Sequence, residues 1–188
     1  MELTRITPTP QQLRALSHPV RLRMLGLLRA EGPATATGLA TRLGLNSGAT
    51  SYHLRQLATH GFIEDDAGRG NGRERWWRAA HQSTFTDQPA TEEERAAVRA
   101  FEQSVAVVQT EFLQRAVEEQ ELLPEAWRRT TRLSDWMVRL TPARAEALVT
   151  ALERIVEEVD EEEGDGVGDF MVVLQAYPRP GTQVVDPT

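Results

Sequence analysis

Asn46-Ser47-Gly48-Ala49-Thr50-Ser51-Tyr52-His53-Leu54-Arg55-Gln56-Leu57 is the stretch whose side chains can do chemistry on a partner. At helical spacing Ala49, Leu54 and Leu57, joined by His53, turn to one side, leaving Ser47, Thr50, Ser51, Tyr52 and Arg55 on the other. Small hydroxyls, a phenol and a guanidinium donate and accept hydrogen bonds across a polar surface without filling a core. The planar fork of Arg55 suits phosphate or the edge of guanine. Gly48 is unusual there, because a helical glycine costs about 1 kcal/mol relative to alanine. It marks either a close approach to a partner's backbone or a frayed first turn.

Chemistry of other kinds finds few residues to carry it. The chain has no nucleophile–base motif, no phosphate loop ending in Gly-Lys-Ser/Thr and no metal triad, so neither catalysis nor a cofactor is expected. Cysteine is absent, which removes disulfides and thiolate metal sites and fits a cytoplasmic protein. His18, His53, His60 and His81 show no i, i+3 or i+4 pairing, so no metal site is assigned. Residues 1–13 lack the apolar segment of a secretory signal, and the apolar run 170–174 is too short for a membrane span.

Charge is divided along the chain. Residues 1–80 carry 11 Arg against 6 acids, and residues 81–188 carry 10 Arg against 22, so a net of −7 conceals a basic half and an acidic half. That division is expected where only one half meets phosphate. All the basic residues are Arg, which suits nucleic-acid recognition but also follows from GC-rich coding.

The elements that must position the polar stretch are legible around it. A short helix over residues 11–17 carries Leu13 and Leu16. Pro19 fits the first position of a second helix, with Val20, Met24, Leu27 and Leu28 at helical spacing until Gly32-Pro33. A third helix presents Leu39, Ala40 and Leu43, with Gly44 as its C-terminal cap. Leu45 and Asn46 alone separate it from the polar helix, which Asn46 or Ser47 can cap and Gly61 ends: two short helices joined by a glycine turn. Residues 62–64 and 73–78 read as strands about a glycine-rich loop bearing Arg69, with Arg73 at its base. Alternation separates Trp76 from Trp77, so one of them packs on the helices.

On these motifs the chain resembles the ArsR-type winged-helix repressors. Leu16-Ser17-His18-Pro19-Val20-Arg21-Leu22-Arg23-Met24-Leu25 is similar to that family's opening. Leu39-Ala40-Thr41-Arg42-Leu43-Gly44-Leu45 and the segment Thr50 through Leu57 resemble its helix-turn-helix, and Gly72-Arg73-Glu74-Arg75-Trp76-Trp77 its wing strand. The resemblance covers residues 10–80. It implies a homodimeric repressor with its recognition helix in the major groove of a palindromic operator. Ser47, Thr50, Ser51, Tyr52 and Arg55 would then lie nearest the DNA, His53 would hold a structural or phosphate-contacting place, and Arg69 and Arg73 would serve the wing. The family's best-known members sense metals through cysteine pairs or Asp/His/Glu sites. This chain has no cysteine, and its helix before recognition has no metal ligand.

Past residue 80 a polar linker precedes Thr91-Glu92-Glu93-Glu94, a helix start with a capping box. Val98, Phe101, Val105, Val108 and Phe112 follow at spacings of 3 and 4, a seam that either packs within the chain or forms a dimer interface. Alternation over 134–140 and the apolar run 170–177 read as strands flanking a helix opened by Thr141-Pro142. Trp127, Trp136, Met137, Phe170, Met171 and Tyr177 can serve as core or line a pocket for a small apolar ligand.

The expected fold is mainly α. A winged helix-turn-helix of three to four helices and a two-stranded β-wing occupies residues 10–80. A long helix and a small strand–helix–strand unit occupy 91–177. The function this favours is sequence-specific transcriptional regulation on double-stranded DNA. The alternative is a winged-helix interaction module, or a small-molecule-responsive regulator, acting through the acidic half.

Overall fold

The computed structural model describes residues 4–69 and 74–182. The chain forms two compact units, Met1–Thr130 and Thr131–Thr188.

The first unit opens with β1 (Arg5–Ile6) and α1 (Pro10–Leu16). Thr9 and Gln12 form a reciprocal capping box at the start of α1, so two orphan N–H groups are satisfied at once. α2 (Pro19–Ala30) has its proline in the first turn, and His18 caps it by accepting from the Val20 N–H at 3.2 Å through Nδ1. β2 (Ala34–Thr35) and α3 (Ala36–Leu43) follow. Gly44 ends α3 at φ +64°, a left-handed turn that glycine enters without a Cβ penalty. α4 (Ser47–Thr59) begins after two intervening residues, and the Asn46 side chain caps it by accepting from the Ala49 N–H at 2.7 Å.

β3 (Ile63–Asp65), β4 (Trp76–Ala79) and β5 (Ser83–Thr84) complete the strands of this unit. The sheet is three-stranded and antiparallel in the order β2-β4-β3, with Glu64 opposite Arg78 and Ala34 opposite Trp77. The expected two-stranded wing therefore gains a strand. Ala34 and Thr35 are too short and too small to announce themselves in a sequence. β1 pairs with β5 in parallel.

Leu16, Met24, Leu25, Leu28, Leu39, Leu54, Leu57, Phe62, Ile63 and Trp77 make one buried core beneath α4. Each large apolar side chain buried this way contributes about 1.5–3 kcal/mol in gross terms. Trp77 is the tryptophan that packs on the helices, and Trp76 is half-buried on the other face of β4.

α5 (Glu92–Glu119) starts at the expected Thr91–Glu94 capping box and packs against α1 and α2. A 3₁₀ turn at Gln120–Leu122 and α6 (Glu125–Arg128) close the unit. The face of α5 turned inward carries Ala97, Phe101, Ser104 and Val108. The seam expected to dimerise is thus divided: Phe101 and Val108 serve the chain's own packing, while Val98, Val105 and Phe112 lie half-buried along the flank. Ala97 and Ser104 fill the closest approach because they are small, which an apolar pattern does not register. Arg23 grips Glu111 through both its Nε, at 2.7 Å, and a terminal nitrogen, and Arg14 pairs with Glu93 at 2.8 Å. These contacts put the long helix in the first compact unit, which runs to Thr130.

In the second unit α7 (Pro142–Glu157) begins as expected, with the Thr141 side chain capping and proline in the first turn. The strands expected at 134–140 and 170–177 are not formed, and this corrects the strand–helix–strand reading. Two strands alone do not make a stable sheet, and no third strand is present among the described residues of this unit. Trp136, Met137, Phe170, Met171 and Tyr177 stand exposed rather than around an enclosed cavity, with Trp136 at 83%.

Candidate nucleic-acid interface

α4 divides its side chains sharply. Thr50, Leu54 and Leu57, spaced 4 and 3, are fully buried, and Ser47, Tyr52 and Arg55 are exposed. Ser51 and His53 are half-buried. Thr50 therefore leaves the outward set expected for it. Its hydroxyl donates to the Asn46 carbonyl at 3.0 Å, which satisfies it inside the fold.

The first turn of α4 presents Ser47 and Gly48 to solvent. Gly48 has no left-handed φ, and an added Cβ there would meet only the Asn46 Oδ1 at 3.4 Å. Nothing in the fold requires glycine at this position.

Behind Tyr52 is an arrangement that residue spacing did not reveal. The His53 ring lies 4.6 Å from the His18 ring, and the Tyr52 ring meets it edge-on at 5.4 Å. Arg21 lies beside these rings: it acts electrostatically on both imidazoles, and Tyr52 acts on it. The His53 Nδ1 and Arg21 Nε are buried without a hydrogen-bond partner. Burial lowers the His53 pKa, reinforced by His18 and then Arg21; burial followed by Arg21 lowers that of His18. Both imidazoles are therefore neutral at pH 7. His18 comes from the cap of α2 and His53 from mid-α4, so only the folded chain brings them together.

Most arginines of the first unit are already matched. Arg69, expected at the wing, is exposed but lies 3.4 Å from Asp66; Arg75 pairs with Asp65 at 2.6 Å and covers the Trp77 ring. Arg78 holds Glu64 at 2.7 Å, and Arg42 holds Glu31. Arg29 donates to the His81 carbonyl and to Thr84, and burial draws its pKa down to about 10. Arg73 lies outside the described residues. Arg55 and Arg21 have no acidic partner among the described residues.

Residues 16–66, which include α3, the turn and α4, match a family model described as a helix-turn-helix domain. The HTH-type transcriptional regulator YgaV of Escherichia coli (strain K12) is 38% identical over 68 residues, 34% of this chain and 68% of YgaV. The chain belongs to the helix-turn-helix transcriptional regulators. Its α3 and α4 are this regulator's helix-turn-helix, and β3 and β4 stand where a wing belongs. Solved structures with some likeness include an apo mutant of Lactococcus lactis ZitR, at 17% identity over 76% of this chain and 83% of that one, TM-score 0.34. An ArsR family transcriptional regulator shares 26% identity over 58% of this chain and 97% of its own, TM-score 0.32. No helix among the described residues is long and apolar enough to cross a membrane.

Proposed function

We propose that this DNA-binding regulator is an ArsR-type repressor that binds a palindromic operator as a homodimer, with α4 in the major groove. The observation that carries this reading is Arg55, exposed on α4 and free of any acid among the described residues. A guanidinium so placed is ready to fork onto guanine O6 and N7. Ser47, Ser51 and Tyr52 lie along the same helix to meet base edges and phosphates, and His53 holds Tyr52 from behind. Arg69 and Arg73 serve the wing, Arg69 by exchanging Asp66 for phosphate. Val98, Val105 and Phe112, seven residues apart on the flank of α5, provide the dimer contact, because a two-fold protein matches a two-fold site. The exposed apolar residues of the second unit support a further role as the place where a small apolar ligand or partner adjusts binding.

Selection from random duplex DNA tests the reading. The expected result is an enriched palindrome whose half-sites lie about one helical turn apart. A pool that stays random after repeated rounds would contradict it.

A further inference from the structure

Arg21 is a cation with no acidic partner among the described residues. Its Nε is buried and has no hydrogen-bond partner, and burial lowers its pKa because the charged form loses water. The groups around it offer little compensation. Burial, with Arg21 among the lesser causes, disfavours charge on His18 and His53, Arg23 is committed to Glu111, and Tyr52 carries a phenol rather than an acid. A half-buried guanidinium left like this weakens the free protein, since such charges are normally matched by an acid. The other arginines of α2 are matched, Arg23 by Glu111 and Arg29 by a carbonyl and a hydroxyl. The unmatched one is the one beside Tyr52, which is 52% exposed on the outward side of α4.

We propose that Arg21 is a DNA-backbone contact: a guanidinium on α2, outside the recognition helix, that takes a phosphodiester at the edge of the groove beside Tyr52. This rests on the reading of α4 as the DNA-reading helix. The anion missing from the cleft is then supplied by the nucleic acid, and the contact adds affinity without sequence preference. Arg21 positions α4 while Arg55 discriminates.

The test is the salt dependence of binding to a random-sequence duplex, measured for wild type, Arg21→Met and Arg21→Lys together with their thermal midpoints. Methionine keeps the apolar stem and removes the charge. Arg21→Met is expected to melt no lower than wild type and to shallow the slope of log K against log salt by about 0.9 for each protomer bound. Arg21→Lys is expected to keep the wild-type slope. An Arg21→Met protein with unchanged slope, or one that melts lower or fails to fold, would overturn the inference and make Arg21 a structural residue. Wild-type protein with no affinity for duplex DNA would instead remove the reading of α4 on which the inference rests.

Discussion

Residues 4–130 and residues 131–182 both carry apolar side chains at regular spacing, but only the first stretch buries them. In the first, leucines from α1, α2, α3 and α4 meet Phe62, Ile63 and Trp77 in one core, and caps at Thr9, His18, Asn46 and Thr91 close the helix starts. In the second, α7 is equally well capped by Thr141, yet Leu148, Leu152, Ile155 and Val156 remain exposed. Local signals suffice to start a helix; burial is what fixes where its side chains point. A polar surface such as that of α4 can therefore be held in a set geometry only in the first unit.

The largest effect that would test this contrast is core truncation. Leu54→Ala is expected to cost about 2–5 kcal/mol by denaturant unfolding. Leu152→Ala on α7 is expected to stay within about 0.5 kcal/mol, as exposed sites do. Equal losses would mean that the apolar face of α7 is covered in solution. Limited proteolysis sharpens the same point: cuts are expected first within 131–141 and 158–182, and protection there would again signal a cover.

Smaller effects probe the first unit alone. Asn46→Ala removes the cap of α4 and is expected to cost about 1 kcal/mol. Gly48→Ala should stabilise by about 0.5–1 kcal/mol, since the fold leaves room for a Cβ, while weakening duplex binding if the glycine admits a phosphate. Stabilisation with unchanged binding would leave Gly48 as an ordinary first-turn residue. The smallest effect is pH-dependent. Folded-state pKa values of His18 and His53 lie below the ordinary imidazole value of about 6.5, so the unfolded chain binds protons first. Stability from this pair is full above pH about 6.5 and is lost as pH falls through the lowered folded values. The thermal midpoint should drop on acidification from pH 7.5 to 5, and His53→Gln should reduce that drop. An equal drop in His53→Gln would place the sensitivity elsewhere.

Much of the first unit was legible because its signals are local. Pro19, Gly44 and Asn46 mark helix ends by backbone chemistry, and the leucines around them repeat at the helical period. Thr50 is polar yet buried, because a threonine can satisfy its hydroxyl on the preceding turn, and polarity alone does not reveal this. The division of the α5 seam was hidden because alanine and serine, rather than a large apolar residue, mark its inner face. The cleft of His18, Arg21 and His53 exists only in three dimensions and has no periodicity to betray it. Beyond residue 130 the alternation over 134–140 was real, but alternation records a face that wants burial without saying that a partner is there.

On the proposed function, the outward face of α4 discriminates DNA sequence through Arg55. The most direct test is the affinity ratio of a selected duplex over a scrambled one, at a single fixed salt concentration, for wild type and Arg55→Ala. Loss of a bidentate base contact should reduce that ratio by a factor equivalent to about 1–3 kcal/mol, with binding to the scrambled duplex much less changed. An Arg55→Ala protein that keeps the wild-type ratio would contradict it.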